Sequence, residues 1–152
     1  VNEMAKDNRV ALKVKSIGEN GSLVRMMASG FLYPYDLTLD ALDEIKIALS
    51  EAVSNCMIHG YGDREDEEVT VTMEVEERQL TIQVEDHGIG IADIAQAMEP
   101  AYSTREEHMG LGFVFMQTFM DHIEVFSTPG EGTTVIMQKL LPATEQQIDE
   151  VG

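Results

Sequence analysis

Two segments of strict alternation constrain this chain more than any other feature. Val69–Val75 and Leu80–Glu85 place an apolar residue at nearly every second position, and only Glu76-Glu77-Arg78-Gln79 separates them. Successive side chains on a strand point to opposite faces, so the pattern describes a sheet with one buried and one wet face. A link this short joins antiparallel neighbours, whereas a parallel crossover needs a dozen or more residues. A doubly wound parallel sheet is therefore disfavoured. Alternation recurs in Arg9–Ser16, through Val10, Leu12 and Val14. A last strand pair, Ile123–Phe126 and Thr133–Leu140, flanks Pro129-Gly130-Glu131-Gly132.

Helical spacing occupies the intervals. Ser22–Tyr33 carries Leu23, Met26, Met27, Gly30 and Phe31 on one stripe, with Pro34 at or just past its end. The strongest helix follows, capped by Thr38 or Asp40. Its stripe is Leu42, Ile45, Leu49, Ala52, Val53 and Cys56, reaching Ile58, and His59-Gly60-Tyr61-Gly62 supplies a stop. A polar loop spans Gly62–Glu68, a short helix is expected over Ile91–Met98 before Pro100, and Ala101–Met109 reads as irregular. Gly110–His122 reads as a helix begun through glycines. The order predicts an α+β fold: a two-layer sandwich of a mostly antiparallel mixed sheet with helices on one face. A chain of 152 residues suits one compact domain, expected over 1–142, with a polar tail over 143–152.

Charge and composition narrow the function classes. The 10 Lys+Arg stand against 28 Asp+Glu, a formal charge of −18. Such a surface repels phosphates and argues against direct nucleic-acid binding, while a basic protein partner suits it. No apolar run approaches the roughly 20 residues that span a bilayer, so no membrane association is expected. The one cysteine, Cys56, cannot form an intramolecular disulfide. A cytoplasmic protein is the natural expectation. Cys56 lies on an apolar stripe and is expected to be buried rather than nucleophilic. The four histidines lack tight ligand spacing, which makes a structural zinc unexpected. There is no GxxxxGK[ST] phosphate loop and no HRD/DFG kinase set.

Three short motifs can carry chemistry. Glu51-Ala-Val-Ser-Asn55 puts a carboxylate and an amide one helical turn apart. The carboxylate can accept a proton from an attacking hydroxyl or water, and an amide oxygen is a hard ligand suited to Mg²⁺. An exposed edge of an amphipathic helix would look the same. Asp86-His-Gly88-Ile-Gly90 follows a strand. An Asp there can accept from an exocyclic amine such as that of adenine, and glycines let a flat ring approach the backbone. A turn chosen for its geometry is the plainer alternative. Gly110-Leu-Gly112-Phe113 could open a helix whose free N–H groups bind an anion. A flexible helix start packed on the sheet is the alternative there. The polar Tyr102–His108 before it could act as a lid or be an ordinary surface loop.

Taken jointly and in this order, the three motifs resemble the GHKL ATPase superfamily of gyrase, the 90-kDa heat-shock chaperone, histidine kinases and MutL-type repair proteins. Within it, Ser50-Glu-Ala-Val-Ser-Asn-Cys-Met-Ile-His-Gly-Tyr61 and the opening Asn2-Glu3-Met4 are similar to the anti-sigma F factor (stage II sporulation protein AB) family. The resemblance covers about Asn2 to Leu141. It implies the Bergerat ATP-binding fold, ATP or ADP with Mg²⁺, and a homodimer. The implied partners are a sigma factor of RNA polymerase and an anti-anti-sigma protein phosphorylated on serine. Glu51 would be the general base and Asn55 the Mg²⁺ ligand. Asp86 would bind the adenine amino group, in a pocket shaped by Gly88 and Gly90. Gly110 and Gly112 would face the phosphates, and Thr133 would reach the adenine side through water. Thr104 would approach the nucleotide from the lid, and Arg25 would contact the sigma factor. The lid departs from the family pattern. It is about two residues shorter, and Glu107-His108-Met109 precedes Gly110 where relatives carry an arginine, so His108 or Arg105 would substitute. A nucleotide-stabilised sigma-binding module without kinase activity and a GHKL-type ATPase are the competing readings.

Overall fold

The computed structural model describes residues 6–62, 64–93 and 105–143, with 105–110 described through their backbone. The order is β1 (Asn8–Lys15), α1 (Asn20–Leu32), a 3-10 turn (Tyr33–Tyr35), α2 (Leu39–Asn55), a π turn (Cys56–Gly60), β2 (Glu68–Glu76), β3 (Gln79–Asp86), α3 (Arg105–Phe119), β4 (His122–Thr128) and β5 (Gly132–Leu140). The strands form one sheet in the order β1-β2-β3-β5-β4. The expectation of an α+β sandwich holds, and among the described strands every pairing is antiparallel.

Alternation does what it promised. Val69, Val71, Met73 and Val75 of β2 are buried, and so are Leu80, Ile82 and Val84 of β3. Register sets Val71 opposite Val84 and Met73 opposite Ile82, and β5 continues the rows with Val135 and Met137. The polar partners, such as Thr72, Gln83 and Glu74, occupy the other face. The β2–β3 turn has only Glu77 and Arg78 between paired ends, both at positive φ (49° and 69°). Two left-handed residues match the twist of the strands they join, which is why the loop closes in two residues.

The helices cover the apolar face. α2 packs against both α1 and α3 and reaches β3 beneath it. Its buried stripe is Ile45, Ala48, Leu49, Ala52 and Val53, ending in Asn55. Of the two candidate caps, Thr38 serves, its hydroxyl accepting from the Ala41 N–H at 3.1 Å. Met57, Met73, Met116, Met120 and Met137 are buried in this core, but of the expected α1 stripe only Phe31 is buried: Leu23 and Met26 are exposed, and Val24, Ala28 and Leu32 face inward instead.

Three boundaries differ from expectation. α2 ends at Asn55, and the chain continues through a π turn instead of reaching Ile58 as α-helix. α3 begins at Arg105, so the segment read as irregular up to Met109 is helical in its last five residues. Arg, Glu and Met are strong helix formers, and two glycines cost too little to stop the helix behind them. At its far end α3 stops at Phe119, and His122 opens β4. The expected helix over Ile91–Met98 and the polar tail lie largely outside the described residues, and residues 91–93 are not helical.

Candidate functional site

Parity along β3 puts a carboxylate where a core side chain would stand. Leu80, Ile82, Val84 and Asp86 share one face, so the strand that buries the first three also buries Asp86, which is 3% exposed. It ends the strand opposite Thr133 of β5. Its Oδ1 accepts from the Gly88 N–H at 2.8 Å, and Cys56 and Thr133 line the cleft beside it. Burial raises the Asp86 pKa above the usual carboxylate range, and the Gly88 N–H only partly counters it.

The turn after Asp86 is held tightly on both sides. The Ile89 N–H donates to the Gly60 carbonyl at 3.0 Å, and the Gly130 N–H donates to the Ile89 carbonyl at 2.7 Å. The Ile91 N–H reaches Ser127 Oγ at 2.6 Å, and that oxygen lies 2.9 Å from Thr133 Oγ1. The Tyr61 hydroxyl accepts from the His87 N–H and donates to the Glu68 carbonyl, both at 2.7 Å. Two glycines make this approach possible. A Cβ on Gly88 would enter the Gly60 carbonyl, and one on Gly90 (φ +77°) would enter that of Thr128.

The second half of the site comes from α2 and α3. Glu51 is half-buried and Asn55 is buried, one turn apart on α2. α3 crosses them at Gly112. A Cβ there would stand 3.1 Å from Glu51 Oε2 and 3.3 and 3.4 Å from the two amide atoms of Asn55. The Asn55 Nδ2 is buried without a hydrogen-bond partner. Buried polar atoms are nearly always satisfied, so this amide points to something polar beside it.

The two halves meet in one cleft, lined among others by Asn55, Cys56, Asp86, Gly90, Phe113 and Thr133. Three sequence motifs thus converge. The remaining candidates fall elsewhere. Gly88 borders a neighbouring hollow with Tyr61, Arg64 and His87. Glu51 lines a surface groove between α1 and α2, with Arg25 across it and Lys46 beside it. Thr104 lies outside the described residues; Arg105 and His108 are described only as backbone of α3. Gly110 and Gly112 sit inside α3, which begins at Arg105, so the expectation that these glycines open the helix is corrected. Cys56, Gly60 and Gly132 were not among the sequence candidates. Gly60 faces the Asp86 carboxylate so closely that a Cβ would lie 2.9 Å from its Oδ2. Gly132 (φ +124°) packs on the Asp86 carbonyl.

Comparison with known proteins agrees with this fold. Residues 18–139 match the histidine kinase-like ATPase domain family. The chain is 44% identical to the anti-sigma F factor of Clostridium novyi over 140 residues, 91% of this chain and 98% of that protein. The chain belongs to the anti-sigma F factor family. The same-named protein of Pasteuria penetrans is 43% identical over 142 residues, 91% of this chain and 95% of that one. The fold recurs in the crystal structure of the RsbU and RsbW domains of a Mycobacterium tuberculosis protein, at TM-score 0.64 and 18% identity. That match covers 90% of this chain and 34% of the other. A blue-light activated histidine kinase of Erythrobacter litoralis matches at TM-score 0.55 and 21% identity, over 80% of this chain and 41% of that one. At these identities the likeness is one of fold.

Proposed function

We propose that this chain is a cytoplasmic, homodimeric anti-sigma factor that holds a sporulation sigma factor inactive. We propose further that it is a kinase that phosphorylates a serine of an anti-anti-sigma protein with Mg-ATP. The observation that carries this reading is the convergence of Asn55, Asp86, Gly90 and Thr133 on one cleft, with Gly112 closing on Glu51 and Asn55. The buried Asp86 carboxylate would accept from the adenine amino group, and Thr133 would reach the same end of the base through water. Asn55 would offer its amide oxygen to Mg²⁺. Among the described residues no cluster of three or more His, Cys, Asp or Glu could hold a metal. A lone hard ligand completed by phosphate oxygens and water is the regime of Mg²⁺. When bound, the ion would offset phosphate charge.

In the transfer step the serine Oγ–P bond forms as the bond from the γ-phosphorus to the β–γ bridging oxygen breaks. The serine proton passes to Glu51, and ADP leaves. Half-buried Glu51 lies at the surface groove, where a protein substrate can reach it. Gly110 and Gly112 would flank the phosphates from α3, while Thr104, Arg105 and His108 would close over them. Arg25, across the groove from Glu51, would contact the sigma factor. Positioning and electrostatics supply most of the catalysis in such transfers. The −18 charge suits a partner with basic regions.

The test is Glu51→Ala. Phosphotransfer to the anti-anti-sigma protein should fall by about 10² to 10⁴, the usual worth of a general base. ADP and sigma binding should persist. Unchanged phosphotransfer would remove Glu51 from the chemistry. No phosphotransfer by the wild type would leave a nucleotide-stabilised sigma-binding module, and fast ATP hydrolysis without a protein substrate would mark an ATPase.

A further inference from the structure

We propose that Ser127 is a positioning residue that fixes the hydrogen-bond polarity of Thr133, so that the cleft takes a base edge carrying a hydrogen-bond donor and rejects one carrying an acceptor. The proposal rests on the nucleotide reading above and adds to it a determinant of which base is taken.

Register brings two hydroxyls together. Ser127 of β4 and Thr133 of β5 are directly opposed, and opposed residues put their side chains on the same face of a sheet. Asp86 of β3 stands opposite Thr133 on its other side. Thr133 is buried and lines the cleft with Asp86, whereas Ser127 is half-buried beside it. The Ser127 Oγ meets three groups: the Ile91 N–H at 2.6 Å, the Gly132 carbonyl at 3.0 Å and Thr133 Oγ1 at 2.9 Å.

Counting protons assigns the directions. A hydroxyl has one hydrogen to give and two lone pairs. The Ile91 N–H can only donate, so it takes one Ser127 lone pair. The Gly132 carbonyl can only accept, so it takes the Ser127 hydrogen. What is left for Thr133 is the second lone pair, and the Thr133 hydrogen must point there. Thr133 then turns lone pairs alone toward the cleft. The ionised Asp86 carboxylate beside it is also an acceptor without a hydrogen. A base edge facing both must therefore donate, directly or through a water. The 6-amino group of adenine does so. A 6-oxo group in its place sets acceptor against acceptor, which leaves polar groups unpaired. The same Ser127 bonds brace the turn after Asp86 against the β4–β5 hairpin, so the test must separate bracing from polarity.

The experiment is calorimetric titration of wild type, Ser127→Ala and Ser127→Thr with ADP and with inosine diphosphate, which carries the 6-oxo group. Thermal midpoints are measured alongside. Without the Ser127 hydroxyl, the Thr133 hydrogen is free to turn into the cleft and meet the 6-oxo group. The preference for ADP over inosine diphosphate should therefore shrink roughly fivefold in the alanine variant, the worth of one hydrogen bond. Threonine keeps the hydroxyl and should restore the wild-type preference. In a Thr133→Val background Ser127→Ala should leave the preference unchanged, because the group it orients is gone. If Ser127→Ala weakens both nucleotides equally, or lowers only the thermal midpoint, Ser127 merely braces the turn and the proposal fails alone. If the wild type binds neither nucleotide, the nucleotide reading fails and takes the proposal with it.

Discussion

The two ends of the cleft are built on opposite tolerances. At the Asp86 end, backbone meets backbone: Gly88 lies on the Gly60 carbonyl, Gly90 on that of Thr128 and Gly132 on that of Asp86. At the α3 end, Gly112 meets the ends of two side chains, Glu51 and Asn55. The first end is locked by strand register and turn hydrogen bonds, and nothing there can yield cheaply. At the second, rotamers can adjust. On the proposed reading the rigid end would hold the base and the adjustable end the reacting group, an arrangement suited to positioning one nucleotide against a protein hydroxyl.

That contrast can be broken at its hardest point first. Gly88→Ala drives a methyl group into the Gly60 carbonyl. It should cost about 4 kcal/mol or more, at the extreme of single substitutions, or prevent folding altogether. Chemical denaturation measures it, and a cost below about 1 kcal/mol would show that the turn yields after all.

Asp86→Asn probes the same end without disturbing the backbone. The amide oxygen can still accept but the charge is gone, so ADP affinity should fall about tenfold or more. The pH dependence has a definite sign. Burial raises the Asp86 pKa, and on the proposed reading the base amine would favour the ionised form. Affinity is therefore full above the free-protein pKa and is lost as pH falls through it, at up to about tenfold per pH unit. The Asn variant should be flat over this window. Stability of the free protein runs the other way. A carboxyl with raised folded pKa contributes stability at low pH that is lost as pH rises from the ordinary carboxylate value through the raised one.

Gly112→Ala should have the smallest effect on folding and a split outcome. Alanine in a helix interior gains about 1 kcal/mol over glycine. At 3.1 Å its methyl asks Glu51 Oε2 to move by a few tenths of an ångström. The thermal midpoint should hold or rise while phosphotransfer drops by roughly tenfold through misplacement of the base. Equal losses of stability and activity would mean that the α3 end is as rigid as the other.

The same contrast explains what was legible in the sequence. Period-two alternation identified all five strands because strand parity is a local rule, but β3 runs one residue past the expected end at Glu85 and buries Asp86. The i, i+4 spacing placed Glu51 and Asn55 on one face of α2 for the same reason. The start of α3 was not legible, because glycines at 110 and 112 read locally as a boundary. Gly112 instead stands where two helices cross, a tertiary demand without a local signature. The π turn was equally hidden. Its i→i+5 bond has no side-chain period, so His59-Gly60-Tyr61-Gly62 looked like a helix stop, and the closeness of Cys56 and Gly60 to Asp86 followed from three-dimensional packing alone.

The central claim is that both ends serve one nucleotide. Calorimetric titration of the purified chain with ADP and ATP, each with and without Mg²⁺, tests it most directly. The account predicts a single site per chain, with binding tightened by Mg²⁺ through the Asn55 end while the base is held at Asp86. Absence of binding, or binding indifferent to Mg²⁺, would contradict it.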